Sequence, residues 1–205
     1  VNNGTLGKEG VAVFTGGNNI VDVIDSSSVI DLKDSTFGFV LKAPGTFINT
    51  NTGTVMLSND AIYIYTDSGA IVTNNKPLAV TGNKNYALYG NGVITNNASM
   101  DLTGGLGNVG IYSTGGTATN FNMIKVGASN TSAKEFGIGM ATGYYNESTN
   151  TYSNMGTVIN KGTIEVSNPN SMGMYAVGAG SKAINYGNIH LLGNDTIGMY
   201  LDKGA

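Results

Sequence analysis

The sequence predicts an all-β chain wound as a right-handed parallel β-helix, and three observations lead to that expectation. The first is a four-residue motif that recurs along the chain. Met172-Gly173-Met174-Tyr175 returns as Ile197-Gly198-Met199-Tyr200 and, more loosely, as Val109-Gly110-Ile111-Tyr112 and Tyr86-Ala87-Leu88-Tyr89. Val11-Ala12-Val13-Phe14, Phe37-Gly38-Phe39-Val40, Ile62-Tyr63-Ile64-Tyr65 and Ile138-Gly139-Met140-Ala141 fill the same slot. The copies begin at 11, 37, 62, 86, 109, 138, 172 and 197. A period in the twenties is the mark of a solenoid. The second observation is that further landmarks follow each motif in fixed order. The third is that the short apolar segments alternate with period two and are separated by Gly, Asn and Ser, with no helical periodicity. Three strands per coil follow, with about 25 residues per coil and roughly eight coils.

The first strand is the motif itself. If it runs straight, Met172 and Met174 point inward while Gly173 and Tyr175 point outward. Gly38, Gly110, Gly139, Gly173 and Gly198 would then form a bare outer floor beside a column of Tyr65, Tyr89, Tyr112, Tyr175 and Tyr200. The regular repetition favours a structural role for that column, as a corner filler stacked coil upon coil. The second strand is a short apolar stretch ending in asparagine, as in Ile71-Val72-Thr73-Asn74, Ile94-Thr95-Asn96, Val158-Ile159-Asn160 and Ala183-Ile184-Asn185. The third strand is an apolar–x–apolar triplet, from Ile30-Asp31-Leu32 to Ile189-His190-Leu191. An asparagine stands four residues before the triplet at Asn51, Asn74, Asn96, Asn120, Asn160 and Asn185, with Ser26 in its place in the first coil. Asparagine tolerates the left-handed backbone of a sharp corner, and stacked amides can hydrogen-bond along the rod. With about 4.8 Å between strands, eight first strands imply a rod roughly 35 Å long.

Two places break the period. One, Gly127 to Phe136, is slightly long. The other, 142–156, is a clear insertion in which Tyr144-Tyr145 faces Tyr152 across Glu147-Ser148-Thr149-Asn150-Thr151, the pattern of a small β-hairpin. Loops that interrupt a solenoid carry function more often than its coils. Tyr144, Tyr145, Asn146 and Tyr152 are therefore the candidate receptor-binding residues, tyrosine being a favoured anchor in protein recognition.

Composition narrows the function. Gly is 31 of 205 residues, charged residues are 11%, all ten basic residues are lysine, and there is no cysteine. A net charge of −3 gives no footprint for nucleic acid, and without arginine there is no bidentate clamp for phosphate or carboxylate. No apolar run reaches the ~20 residues of a membrane helix. Neither Val1 nor Ala205 begins or ends on a capping element, so the expectation is one β-helix segment, 1–205, of a longer array.

Residues Met172 to Ala176, Ala183 to Leu191 and Ile197 to Leu201 resemble the passenger repeats of fusobacterial type V (type Va) autotransporter adhesins. The resemblance spans nearly the whole chain and is clearest over 155–202; residues 1–60 depart from it, with Val, Phe and Ser for the usual Met, Tyr and Asn. It implies a β-helical passenger displayed on the bacterial cell surface and anchored in the outer membrane by a C-terminal barrel outside this segment. It also implies attachment to a receptor, glycan or protein, on host cells or other bacteria. The motif specifies the rod and not the receptor.

Parallel β-helices also carry polysaccharide-degrading enzymes. Glycoside hydrolysis needs carboxylates converging on one face, yet Asp31 and Asp101 share an outward slot three coils apart, roughly 14 Å. Asp22, Asp25, Asp31 and Asp34 form the densest acidic group and fit turns on a solvated edge. His190, the one histidine, falls in an outward slot, and no Ser sits in a nucleophile elbow. No P-loop, dinucleotide fingerprint or metal-spaced cluster is present. The expectation is a non-enzymatic, cofactor-free, rigid segment of a surface adhesin, with direct receptor recognition through Tyr144–Tyr152 as the alternative and a surface polysaccharide-degrading enzyme behind it.

Overall fold

A computed structural model describes residues 9–17, 20–23, 30–32, 36–42, 45–49 and 55–205. It is a right-handed parallel β-solenoid of about seven turns with rungs about 25 residues apart, as the motif spacing predicts. Eight first strands stack in order: Val11–Thr15, Phe37–Leu41, Ile62–Asn74, Tyr86–Asn96, Val109–Ser113, Ile138–Thr142, Met172–Val177 and Ile197–Asp202. The triplets stack as a separate seven-stranded sheet running from Ile30–Leu32 to Asn188–Leu191. Pairing in this sheet is parallel and in register, so Ile124 lies between Met100 and Ile164, and Lys125 between Asp101 and Glu165.

The first and second strands are less separate than the period implies. In two coils they fuse into the long strands Ile62–Asn74 and Tyr86–Asn96, so that both belong to one thirteen-stranded sheet. The bend is absorbed inside the strand. A register irregularity lies between Thr66 and Ala70, opposite Gly90 and Gly92 with φ of 135° and 154°. A Cβ at Gly90 would lie within bonding distance of the Thr66 carbonyl oxygen, so only glycine fits there.

The triplets behave as expected. Val55, Leu57, Leu102, Ile124, Val126, Ile164 and Val166 are buried in one continuous core, while Asp101, Lys125 and His190 are exposed. Glu165 is half-buried. The Asp101–Lys125–Glu165 column is in register without closing an ion pair; among the described residues the ion pairs are Lys42–Asp67 and Lys84–Glu135. Ser26, Asp25 and Asp34 lie outside the described residues.

The asparagine ladder forms through the amide stacking expected of it, but without the expected left-handed corner. Each Nδ2 donates to the Oδ1 one coil on: Asn74 to Asn96 at 2.8 Å, Asn96 to Asn120 at 2.8 Å, Asn120 to Asn160 at 2.9 Å and Asn160 to Asn185 at 2.8 Å. The same amide also donates to the carbonyl two residues ahead, as from Asn96 to Ala98 at 2.7 Å and from Asn120 to Asn122 at 2.6 Å. None of these asparagines has a positive φ. The side chain closes the corner, where left-handed backbone was expected to do so. In the second coil the register sets Asn49 against Asn74; Asn51, the position counted back from Val55, lies outside the described residues. A second, shorter ladder occupies the opposite corner. Asn85 accepts from the Ala61 N–H at 3.0 Å, and Asn108 accepts from both the N–H and the Nδ2 of Asn85 at 2.9 and 3.0 Å.

The orientation of the first strand departs from simple alternation. Met174 is fully buried in the core, as expected, and Tyr175 faces outward. Gly173, however, faces inward. A Cβ there would lie 2.6 Å from the Gly198 carbonyl oxygen and 3.0 Å from Cγ2 of Ile189 in the third sheet. Gly139 meets Gly173 and Ile164 in the same way, and Gly110 meets Gly139 and Ile124. The bare outer floor of glycines is thus overturned. Two consecutive positions, the glycine and the following Met or Ile, both point into the rod, because the strand bends where it passes the third sheet. The first and fourth residues of each motif turn away from the core cluster, so Met172 lines the outer groove, where only 7% of it is exposed. Where Tyr63 replaces glycine, its ring packs edge-on to Phe39 and Phe47 at 5.8 and 6.4 Å, giving the early coils an aromatic core.

Two substitutions test this packing. Gly139→Val should destabilise the fold by several kcal/mol, as overpacking against backbone does (about 1–3 kcal/mol or more); an outward glycine would tolerate it, and urea titration separates the two. Asn96→Ala should cost about 1–3 kcal/mol by leaving buried partners in two coils unsatisfied, read in the same titration.

Candidate functional site

The fourth position of the motif builds the aromatic column, and the column is real but interrupted. Tyr65 stacks on Tyr89 at 5.7 Å and Tyr89 on Tyr112 at 5.3 Å; Tyr175 stacks on Tyr200 at 5.6 Å. Ala141 stands between Tyr112 and Tyr175. The small side chain leaves room for Tyr112, whose hydroxyl donates to the Gly143 carbonyl at 2.8 Å, at the base of the insertion. Tyr86, from the first motif position, packs edge-on against Tyr89 and Tyr112 at 5.3 and 6.1 Å. The rings therefore spend their faces on one another, as corner fillers do.

The insertion folds as predicted. Tyr144–Asn146 pairs antiparallel with Thr151–Ser153, with Tyr145 opposite Tyr152 and Tyr144 opposite Ser153. The Tyr145 and Tyr152 rings stack at 5.0 Å. The hairpin is docked on the rod. Tyr152 rests on Gly178, where a Cβ would come within 3.0 Å of its ring, and the Lys203 ammonium lies 5.3 Å over Tyr145. Asn146 works as a turn former, its Oδ1 accepting from Ser148 N–H at 3.0 Å and Ser148 Oγ at 2.7 Å. Of the four candidate residues, Tyr144 is the one that stands free, 52% exposed and with no ring partner among the described residues.

Both breaks in the period rise beside the same face. The 127–136 loop carries a short 3-10 turn, Thr131–Ala133, and Lys134 in a left-handed conformation. It is tied down by Glu135, which pairs with Lys84 at 2.7 Å, and by Ser129, which accepts from Gly137 N–H at 2.9 Å. This loop forms one wall of a groove and the hairpin forms the other, through Tyr144, Tyr145 and Glu147. The floor is the outward first position of successive motifs, Ile62, Tyr86, Val109, Ile138, Met172 and Ile197. The groove encloses about 950 Å³. Sequence reasoning found the hairpin and missed the groove. The signal lay in the two period breaks, which fall on either side of one motif copy, 138–141.

Burial shapes the electrostatics. Desolvation raises the phenols of Tyr86, Tyr89 and Tyr175 above the usual tyrosine range, and most strongly that of Tyr112. Among the described residues no three His, Asp or Glu side chains gather as a metal-binding group.

A family model described as the BigA third pectate lyase-like domain matches residues 2–205. No curated protein and no solved structure matches the chain.

A raised phenol pKa has a definite sign. The folded state holds the proton more tightly, so the stability is fully present below the ordinary value of 10.0 and is lost as pH climbs from there towards the raised folded values. The melting temperature should therefore fall steeply above about pH 10. Tyr112→Phe should start slightly less stable, by about 1 kcal/mol for the lost hydrogen bond, and show a shallower alkaline decline, followed by circular dichroism across the alkaline range.

Proposed function

The chain belongs to the family of the BigA third pectate lyase-like domain, a β-helical domain of bacterial surface proteins, and on that premise we propose that it is a rigid attachment module. It holds its groove out from the cell and engages a surface molecule of a partner bacterium or host cell. The parent protein, on this reading, is an outer-membrane autotransporter adhesin, in keeping with the type V passenger repeats that Met172 to Leu201 resemble. The observation that carries it is the convergence of both period-breaking segments on one apolar face of an otherwise uniform rod. A segment serving purely as stalk has no need to wall one coil on both sides.

The enzymatic reading is the weaker one. Of the groove carboxylates, Glu135 is held by Lys84 at 2.7 Å, which leaves it poorly placed for acid–base work. The module is therefore proposed as a binder without a reaction of its own.

Deletion of residues 145–153 tests the reading. The shortened chain should keep its β-sheet circular dichroism, because the hairpin lies outside the stacked rungs. Saturable binding of the labelled, intact chain to partner bacteria or host cells should disappear with the deletion. Equal binding by both versions would remove the groove from attachment; a collapsed spectrum would show the hairpin to be part of the core.

A further inference from the structure

The chemistry of the groove selects its occupant, given the attachment reading of the same site on which this inference rests. The floor is apolar, one side chain per coil from Ile62 to Ile197, aliphatic except at Tyr86. The rim is acidic: Asp60, Glu135, Glu147 and Asp202 stand against Lys84 and Lys134, and Lys84 is already paired with Glu135. An apolar floor under a negative rim complements an apolar, cationic ligand and repels an anionic one.

Two further observations argue against other modes of binding. The rings of Tyr86, Tyr112, Tyr145, Tyr175 and Tyr200 are each engaged with at least one other ring, which leaves few open aromatic faces for stacked sugar recognition. Tyr144 remains, and a single exposed ring at a rim suits a cation. The floor strands short of the Ile197 end are hydrogen-bonded on both sides, as Ile138–Thr142 is to Val109–Ser113 and Met172–Val177. Over the Val109, Ile138 and Met172 stretch no sheet edge is offered, so a peptide lying there cannot be read through its main chain and must satisfy its own backbone groups, which a helix does.

We propose that the groove receives a cationic amphipathic helix of a partner protein. Its apolar stripe lies on the Val109, Ile138 and Met172 floor and its lysines or arginines face Glu147, Asp202 and Tyr144. The floor from Ile62 to Ile197 crosses five strand intervals, about 24 Å, the length of a helix of about 16 residues.

The test uses the full chain and three fluorescent 16-residue peptides, read by anisotropy at near-physiological salt. One carries Leu at helical spacing with Lys elsewhere, one has Glu for Lys, and one scrambles the Leu/Lys order. Saturable binding is expected for the patterned Lys peptide alone, with a rise in its helical circular dichroism. Glu147→Lys, in the exposed hairpin turn, should weaken it about fivefold or more, whereas Glu165→Lys, the same charge change on the third sheet, should leave it within about twofold. Equal binding of the scrambled peptide, or equal loss with both substitutions, would reduce the effect to diffuse charge attraction and overturn the proposal. So would binding of none of the three, or saturable binding of a neutral oligosaccharide such as cellotetraose in their place. Hairpin-dependent attachment to cells that persists without peptide binding would overturn the helical ligand alone; loss of both would overturn the attachment reading as well.

Discussion

Everything in this rod depends on in-register stacking between coils. Each residue sits over its own counterpart one turn away, at about 4.8 Å, with its backbone hydrogen bonds running to the residues that flank that counterpart. A side chain is therefore selected chiefly for how well it packs on a copy of itself. Asparagine meets that demand at one corner because an amide donates upward and accepts from below, and has a donor left to close its own turn. Tyrosine meets it on the outer face because phenol rings stack nearly parallel, 6° apart between Tyr175 and Tyr200. A charged residue does not, and few are present.

The same constraint explains the inward glycines. Within the first sheet the carbonyl of one glycine occupies the space where the preceding coil's Cβ would go, and an isoleucine of the third sheet stands 3.0–3.4 Å from the same point. A thin cross-section follows, and the strand must bend to place two successive residues inside. That bend sends the first and fourth motif residues outward, which is what makes the outer face apolar and able to serve as a floor. The groove is in this sense a consequence of the glycine column behind it.

Much of the architecture was legible from spacing alone. The triplets, the asparagine ladder and the hairpin all follow from period and residue type, because stacking repeats a signal that one coil would state only weakly. What was not legible came from places where chain geometry overrides alternation. Period-two reasoning put Gly173 outside and Met172 inside, and both are reversed, since a strand that bends around glycine has no fixed alternation. The merging of first and second strands in Ile62–Asn74 was hidden because period-two alternation does not continue through the irregularity between Thr66 and Ala70. At the site, the hairpin carrying Tyr144, Tyr145 and Tyr152 was legible from the break in the period, while Asn146 is occupied with its own turn. The opposing wall was passed over because 127–136 exceeds its counterparts only slightly.

The position of the groove along the rod can be traced to one residue. A tyrosine at 141 would continue the column and meet Tyr112 and Tyr175 as its neighbours do one another. With Ala141 there instead, Tyr112 reaches across to the Gly143 carbonyl, which is the first residue beyond the strand and the root of the hairpin. A backbone carbonyl that leaves the stacked rungs has no partner one coil away, and an unpaired buried carbonyl is costly. Tyr112 supplies the missing donor. The loss of one ring from the column and the departure of the chain into the hairpin are thus coupled: the phenol released from regular stacking satisfies the backbone that the insertion exposes. On this argument Tyr112 holds in place the wall that presents Tyr144 and Glu147 beside the apolar floor.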